Sequence, residues 1–182
     1  MGKRSNYKRR ARDAYNTPLS ATAPLLTQLA PRTRFIEPCV GAGQLVEHLV
    51  AAGHVLVSAH DLPVDARHAS YSVPPGVIFV SNPPYWGLAK DLHPLIINLS
   101  DQAPAWLLLP ADWLHNRSSA ALMTRLRVIV SVGRVKWMPG TPFVGMENAA
   151  WYLFGRPDAQ VATIFIGRQP REFELPGACI AA

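Results

Sequence analysis

Short runs of consecutive apolar residues alternate along this chain with stretches whose apolar positions recur every three or four residues. Residues 34–38, 54–59, 77–81 and 106–109 belong to the first kind, and such continuous runs predict strands buried on both faces. The second kind predicts helices. One spans residues 19–29 and is closed by Pro31; another follows Gly41-Ala42-Gly43, with Leu45, Leu49 and Val50 on one face and Gly53 as its stop. Two more are expected at about 88–99 and around 118–126. Pro63, Pro74 and Pro75 leave residues 62–76 irregular. Residues 128–137, 149–154 and 161–166 are strand-like with turns between them. The expected fold is therefore α/β: a mostly parallel twisted sheet with helices on both faces and an antiparallel edge hairpin.

A length of 182 residues suits one core, and 49% hydrophobic against 16% charged residues excludes a fully disordered chain. No apolar run approaches the roughly 20 residues of a spanning helix, and no apolar signal segment follows the basic start. A soluble, cytoplasmic protein without a membrane partner is the expectation. The net charge of +6 is uneven: Lys3, Arg4, Lys8, Arg9, Arg10 and Arg12 all precede the first acid, Asp13. Residues 1–12 therefore form a basic arm unable to bury a core, and residues 13–182 a single charge-balanced domain. Arg117, Arg125, Arg127, Arg134 and Lys136, with no acid among them, predict a second basic face. A polyphosphate backbone is the large anionic partner that such charge suits; a merely solvated tail is the alternative.

In open α/β sheets ligands lie beyond the carboxyl ends of the strands, and three strand ends carry unusual residues. The first is Glu37-Pro38-Cys39-Val40-Gly41-Ala42-Gly43, where glycines permit a tight turn and close approach of a ligand to backbone at a helix start. Val46 stands where a dinucleotide fingerprint has its third glycine, and Glu37 disfavours a pyrophosphate. The second is Asp61, placed to accept ribose hydroxyls. The third is Asn82-Pro83-Pro84-Tyr85. Two prolines remove two N–H donors and stiffen the backbone, leaving carbonyls free. The Asn82 side-chain oxygen and the Pro83 carbonyl could then hold the two N–H groups of a planar amine stacked on Tyr85.

These residues resemble the S-adenosylmethionine-dependent amino-methyltransferases, most closely the DNA N6-adenine methyltransferases of bacteria and their phages. Glu37-Pro38-x-x-Gly41-x-Gly43 looks like the family's cofactor loop, Asp61 like its ribose acid, and Asn82-Pro83-Pro84-Tyr85 like its catalytic tetrapeptide. Tyr15-Asn16-Thr17-Pro18 resembles the segment that touches the methionine end of the cofactor. The resemblance covers most of residues 13–154 and implies a Rossmann-like class I methyltransferase with S-adenosylmethionine as cofactor, bound also through Asn82. It further implies DNA, double- or single-stranded, as partner, with Tyr85 on the substrate side; position beside Tyr85 adds Trp86 and Lys90 there, and charge adds Arg9, Arg10 and Arg12 of the basic arm. Residues 62–76 are short where the family usually has a helix and a strand, and Asp65 is a weak candidate for holding the cofactor's adenine. No insertion is long enough for a target-recognition domain. Relaxed sequence specificity follows unless a homodimer or another partner supplies readout.

Other constellations carry less. The six histidines form no H-x-x-x-H or H-E-x-x-H pair, so no metal is expected. Cys39 and Cys179 have no C-x-x-C partner, and Cys39 reads as a small packed residue. Trp113 and Trp137 suit core or rim, while Trp86, next to Tyr85, suits the mouth of a substrate pocket or packing equally. The same tetrapeptide serves RNA adenine, cytosine N4 and protein glutamine, and a non-catalytic nucleic-acid-binding protein could keep such a fold; these alternatives stay open.

Overall fold

The computed structural model describes residues 16–85, 88–138, 140, 145 and 147–168. Among these residues seven strands form one sheet in the order β2-β1-β3-β4-β6-β5-β7. They are β1 (Arg34–Glu37), β2 (Val55–Ala59), β3 (Val77–Ser81), β4 (Ala105–Pro110), β5 (Leu126–Arg134), β6 (Asn148–Phe154) and β7 (Ile164–Ile166). The first four run parallel, and β6 runs antiparallel between β4 and β5. The expected reversal is thus present as the β5–β6 pair. Its placement differs from the expectation in one respect: β7 lies outside β5 and pairs with it parallel, not antiparallel.

Continuous apolar strands are explained by two buried faces, because side chains alternate sides along a strand. Phe35, Val80, Trp106, Leu108 and Trp151 pack on one side with Leu25 of α1 (Leu19–Leu26) and Leu45 and Leu49 of α2 (Gln44–Ala51). Their chain neighbours Ile36, Phe79, Leu107 and Tyr152 pack on the other with Leu95, Ile96 and Leu99 of α3 (His93–Gln102). Burying one such Leu or Phe side chain contributes about 1.5 to 3 kcal/mol, so this two-sided burial dominates the stability of the sheet. The segment expected to be helical around 118–126 has 3₁₀ geometry over Arg117–Arg125 instead. Its apolar Leu122 is buried, but Ser118, Ala120 and Ala121 are exposed, so too little apolar surface is present to hold a regular amphipathic helix against the sheet.

Residues 62–76 add no strand beyond β2. They are held on α3 by polar contacts: Asn98 Nδ2 donates to the Ala66 and Ala69 carbonyls at 3.0 and 2.9 Å, and the Tyr71 amide donates to Gln102 Oε1 at 2.8 Å. No helix among the described residues is long and apolar enough to cross a membrane.

Candidate active site

The sheet order brings the three unusual strand ends together. β1 lies between β2 and β3, so Glu37, which ends β1, and Asp61 and Asn82, which follow β2 and β3, stand at the carboxyl ends of three adjacent parallel strands. This is also where the chain order reverses, β2 lying on one side of β1 and β3 on the other, the usual site of a ligand crevice.

The loop after β1 is braced at two levels. Beneath it, the Glu37 carboxyl is buried and accepts from the Cys39 amide at 3.0 Å. Above it, Asp61 accepts from the Gly41 amide at 3.1 Å and from the Leu62 amide at 2.8 Å. The backbones are joined as well, His60 N donating to the Glu37 carbonyl and Val40 N to the His60 carbonyl, each at 2.8 Å. Gly41 and Gly43 have φ of 52° and 84°, a region that non-glycine residues avoid. Pro38 makes the turn out of β1. Among the described residues, nothing beyond each glycine and its chain neighbours lies within 4 Å of the position a Cβ would take on it, so the loop presents open backbone at the start of α2.

Burial pushes the Glu37 carboxyl up to about 8; the neighbouring Ser81 hydroxyl and the Cys39 amide act against that rise, and Asp61 adds to it. Glu37 is therefore largely neutral at pH 7. Burial, with Glu37 beside it, also pushes the Cys39 thiol up to about 12, which keeps it from serving as a nucleophile at neutral pH and agrees with a packing role.

Asn82 leaves β3 with its amide held at both ends. Its Nδ2 donates to Thr17 Oγ1 at 3.0 Å, and its Oδ1 accepts from the Tyr85 hydroxyl at 2.5 Å. Pro83 is buried and Pro84 half-buried, and the Tyr85 ring packs partly against the α3 side of the core. Thr17 is buried, whereas Asn16 is exposed; the Pro18 carbonyl accepts from the amides of Ala21 and Thr22 at the start of α1. Lys90 is exposed on a π-helical turn, Leu88–Leu92, that leads into α3. Such turns recur at functional sites. Tyr15, Trp86 and the arm residues Arg9, Arg10 and Arg12 lie outside the described residues.

Two expectations change. Asp65 is engaged by Arg67, whose Nε and Nη2 reach its carboxylate at 2.7 to 3.1 Å, and this holds Asp65 low, at about 2. Arg67 also pairs with Asp91 on the π-helical turn. Arg67 thus ties the 62–76 segment to the π-helical turn, and its bonds to both Asp65 oxygens compete with a ligand's amino group for that carboxylate. Arg67 had no distinguishing sequence signal, because its partners lie at different separations along the chain.

The second basic face is divided as well. Arg125 pairs with Asp101, and Arg127 donates to the carbonyls of Thr124 and Arg156; both flank the start of β5, at the far edge of the sheet. Arg134 and Lys136 follow the other end of β5, which runs parallel to β4 because each is antiparallel to β6. They are exposed, as are Arg117 and Lys90 on the segments that follow the carboxyl ends of β4 and β3.

A parallel sheet whose one reversed strand, β6, lies between β4 and β5 has the fold of the class I S-adenosylmethionine-dependent methyltransferases. The sequence matches no protein-family model, and no curated protein matches it significantly. Among solved structures it is similar to a proposed class I S-adenosylmethionine-dependent methyltransferase from Listeria monocytogenes, with a TM-score of 0.51 and 12% identity over 85% of this chain and 66% of that one. It is also similar to a proposed RNA methyltransferase from Pyrococcus horikoshii, with a TM-score of 0.50 and 13% identity over 79% of this chain and 88% of that one. The present chain thus spans just under two thirds of the Listeria protein's length.

Proposed function

We propose that this chain transfers a methyl group from S-adenosylmethionine to the exocyclic N6 of adenine in DNA. One observation carries the reading: Asn82, an amide acceptor followed by two prolines, stands at the carboxyl end of β3 beside the open glycine loop of β1. Its Oδ1 already accepts one hydrogen bond, from Tyr85, and a substrate N–H would take that place. The residues suit the cofactor, since Gly41 and Gly43 leave open backbone, Asp61 is exposed above them, and Glu37 lies beneath. When bound, S-adenosylmethionine supplies an electrophilic methyl group. The chain's own part is to prepare the amine. The nitrogen of adenine N6 is a poor nucleophile because its lone pair is delocalised into the ring; acceptors at Asn82 Oδ1 and the Pro83 carbonyl localise it and stabilise the positive charge that grows during transfer. No general base is needed during transfer: the charged N6 sheds one of its protons to solvent once the methyl group has arrived. A base inside a duplex is out of reach, so it is flipped out or taken from a single strand, and the Tyr85 ring receives it once its hydroxyl releases Asn82.

Exposed Lys90, Arg117, Arg134 and Lys136, together with the basic arm, favour a nucleic-acid acceptor over a protein one. The likeness to a proposed RNA methyltransferase keeps RNA adenine as the second reading. Incubation with radiolabelled cofactor and separate DNA, RNA and protein acceptors, followed by nucleoside analysis, decides among them. Label in N6-methyladenine from DNA is the expected result; label confined to RNA, to N4-methylcytosine or to protein would replace it.

Two further results follow. Asp61→Ala weakens S-adenosylmethionine binding by about 1 to 3 kcal/mol in calorimetry, because the Gly41 amide loses its acceptor and the site loses a ribose partner. Unchanged affinity would remove Asp61 from the site. Deleting residues 1–12 lowers DNA affinity and reduces the slope of log K against log salt by about 0.9 for each phosphate that the arm had neutralised. Cofactor affinity stays the same. An identical slope in the truncated protein would mean that the arm is only solvated.

A further inference from the structure

The resemblance places Thr17 at the cofactor, but among the described residues its side-chain hydrogen bond goes elsewhere. Thr17 Oγ1 accepts from Asn82 Nδ2 at 3.0 Å, across 65 positions of sequence, and Thr17 is 3% exposed. We infer that Thr17 is a positioning residue: its hydroxyl sets the orientation of the Asn82 amide, so that Oδ1 faces the substrate and Nδ2 does not. This rests on the reading of Asn82 as the acceptor for a substrate amine.

An asparagine amide presents a donor on one side and an acceptor on the other, and a half-turn about its last torsion exchanges them. With Nδ2 outward the site would meet an amine with another donor and could not localise its lone pair. Here the amide stands between two hydroxyls of unlike character. The phenol of Tyr85 is the better donor and the poorer acceptor, since its oxygen lone pair is drawn into the ring. The alcohol of Thr17 is the better acceptor. The pair therefore favours Oδ1 toward Tyr85 and Nδ2 toward Thr17, as observed. When Tyr85 moves aside for a substrate base its preference is lost, and Thr17 alone keeps the orientation.

Thr17 is suited to that task by its anchorage. Pro18 fixes the backbone that follows and restricts Thr17 to extended conformations. The Pro18 carbonyl accepts from Ala21 N at 2.9 Å and Thr22 N at 3.2 Å, and the buried Trp151 Nε1 of β6 donates to the Ala21 carbonyl at 2.7 Å. The Thr17 oxygen is thus held by a helix start fastened to the centre of the sheet.

Thr17→Val keeps the shape and removes the oxygen, while Thr17→Ser keeps the oxygen. With saturating cofactor, kcat of Thr17→Val should fall about 5- to 20-fold, the effect of one lost orienting hydrogen bond; Thr17→Ser should stay within about threefold of the parent. A kcat of Thr17→Val equal to the parent's at saturating cofactor, with only the cofactor KM raised, would overturn the inference and make Thr17 a cofactor contact. Nitrogen-15 NMR reads the same point without turnover: the Asn82 side-chain NH₂ pair should be slow to exchange with solvent in the parent and in Thr17→Ser, and shifted and fast in Thr17→Val. Identical Asn82 NH₂ signals in all three would also overturn it. If the parent methylated no nucleic acid at all, the proposed function would fall, and the NMR comparison would still decide the role of Thr17.

Discussion

Asn82→Ala lowers the rate of methyl transfer by about 100-fold or more while leaving S-adenosylmethionine affinity within a few fold of the parent. Among the described residues the side chain's hydrogen bonds are to Thr17 and Tyr85, and neither belongs to the glycine loop or to Asp61. Truncation therefore leaves the braces of the β1 loop in place. What is lost is an acceptor whose interaction strengthens as charge develops on the amine, and loss of one such group costs about 3 kcal/mol of barrier in comparable sites. Single-turnover rates with the cofactor bound in advance separate this from binding, and calorimetry supplies the affinity. Near-normal single-turnover rates would refute amine activation by Asn82. A rate loss explained wholly by weaker cofactor binding would refute it equally.

The sequence pattern marked the strand ends that the sheet brings together better than it marked the edges of the sheet. Glycines at positive φ, an acid after a strand and a double proline each restrict the backbone locally, so their meaning survives without knowledge of their neighbours. The adjacency of Glu37, Asp61 and Asn82 then followed from the order of a parallel sheet, which the alternating elements implied. Contacts between distant segments left no such trace. Thr17 with Asn82, Arg67 with Asp65 and Asp91, and Asn98 with the Ala66 and Ala69 carbonyls depend on where loops cross α3 and the end of β3. The parallel pairing of β7 was hidden for a similar reason: three residues carry too short a pattern to fix a direction. Charge was legible in amount but not in placement, since Arg125 and Arg134 sit at the two ends of one strand and serve opposite edges.

Glu37 should make the protein less stable as the solution becomes alkaline, and Glu37→Gln should abolish that loss. In the unfolded chain the carboxyl titrates near its ordinary 4.5, and in the folded protein near 8. Between those values the native state holds a proton that the unfolded state has released. Stability therefore declines with rising pH, by at most about 1.4 kcal/mol per unit, and levels off above pH 8, where both states are ionised. The full loss is on the order of 3 to 5 kcal/mol, because the carboxyl is buried and its neighbours Cys39 and Asp61 offer no countercharge. His48, His54 and His93, held low by burial, act in the opposite range and weaken the fold only on acidification below about 6.5. Glutamine keeps an oxygen for the Cys39 amide and cannot ionise. Urea unfolding of the cofactor-free protein should then show parent and variant nearly equal at pH 5 and the variant more stable by several kcal/mol at pH 9. On the cofactor placement proposed above the same proton couples to the ligand: a cation close to Glu37 would favour the carboxylate, so S-adenosylmethionine binding should release a proton and tighten from pH 6 to 8 in the parent alone. Parallel stability curves for parent and variant across that range would show that Glu37 is ionised in the native state and that its burial is compensated by a charge elsewhere.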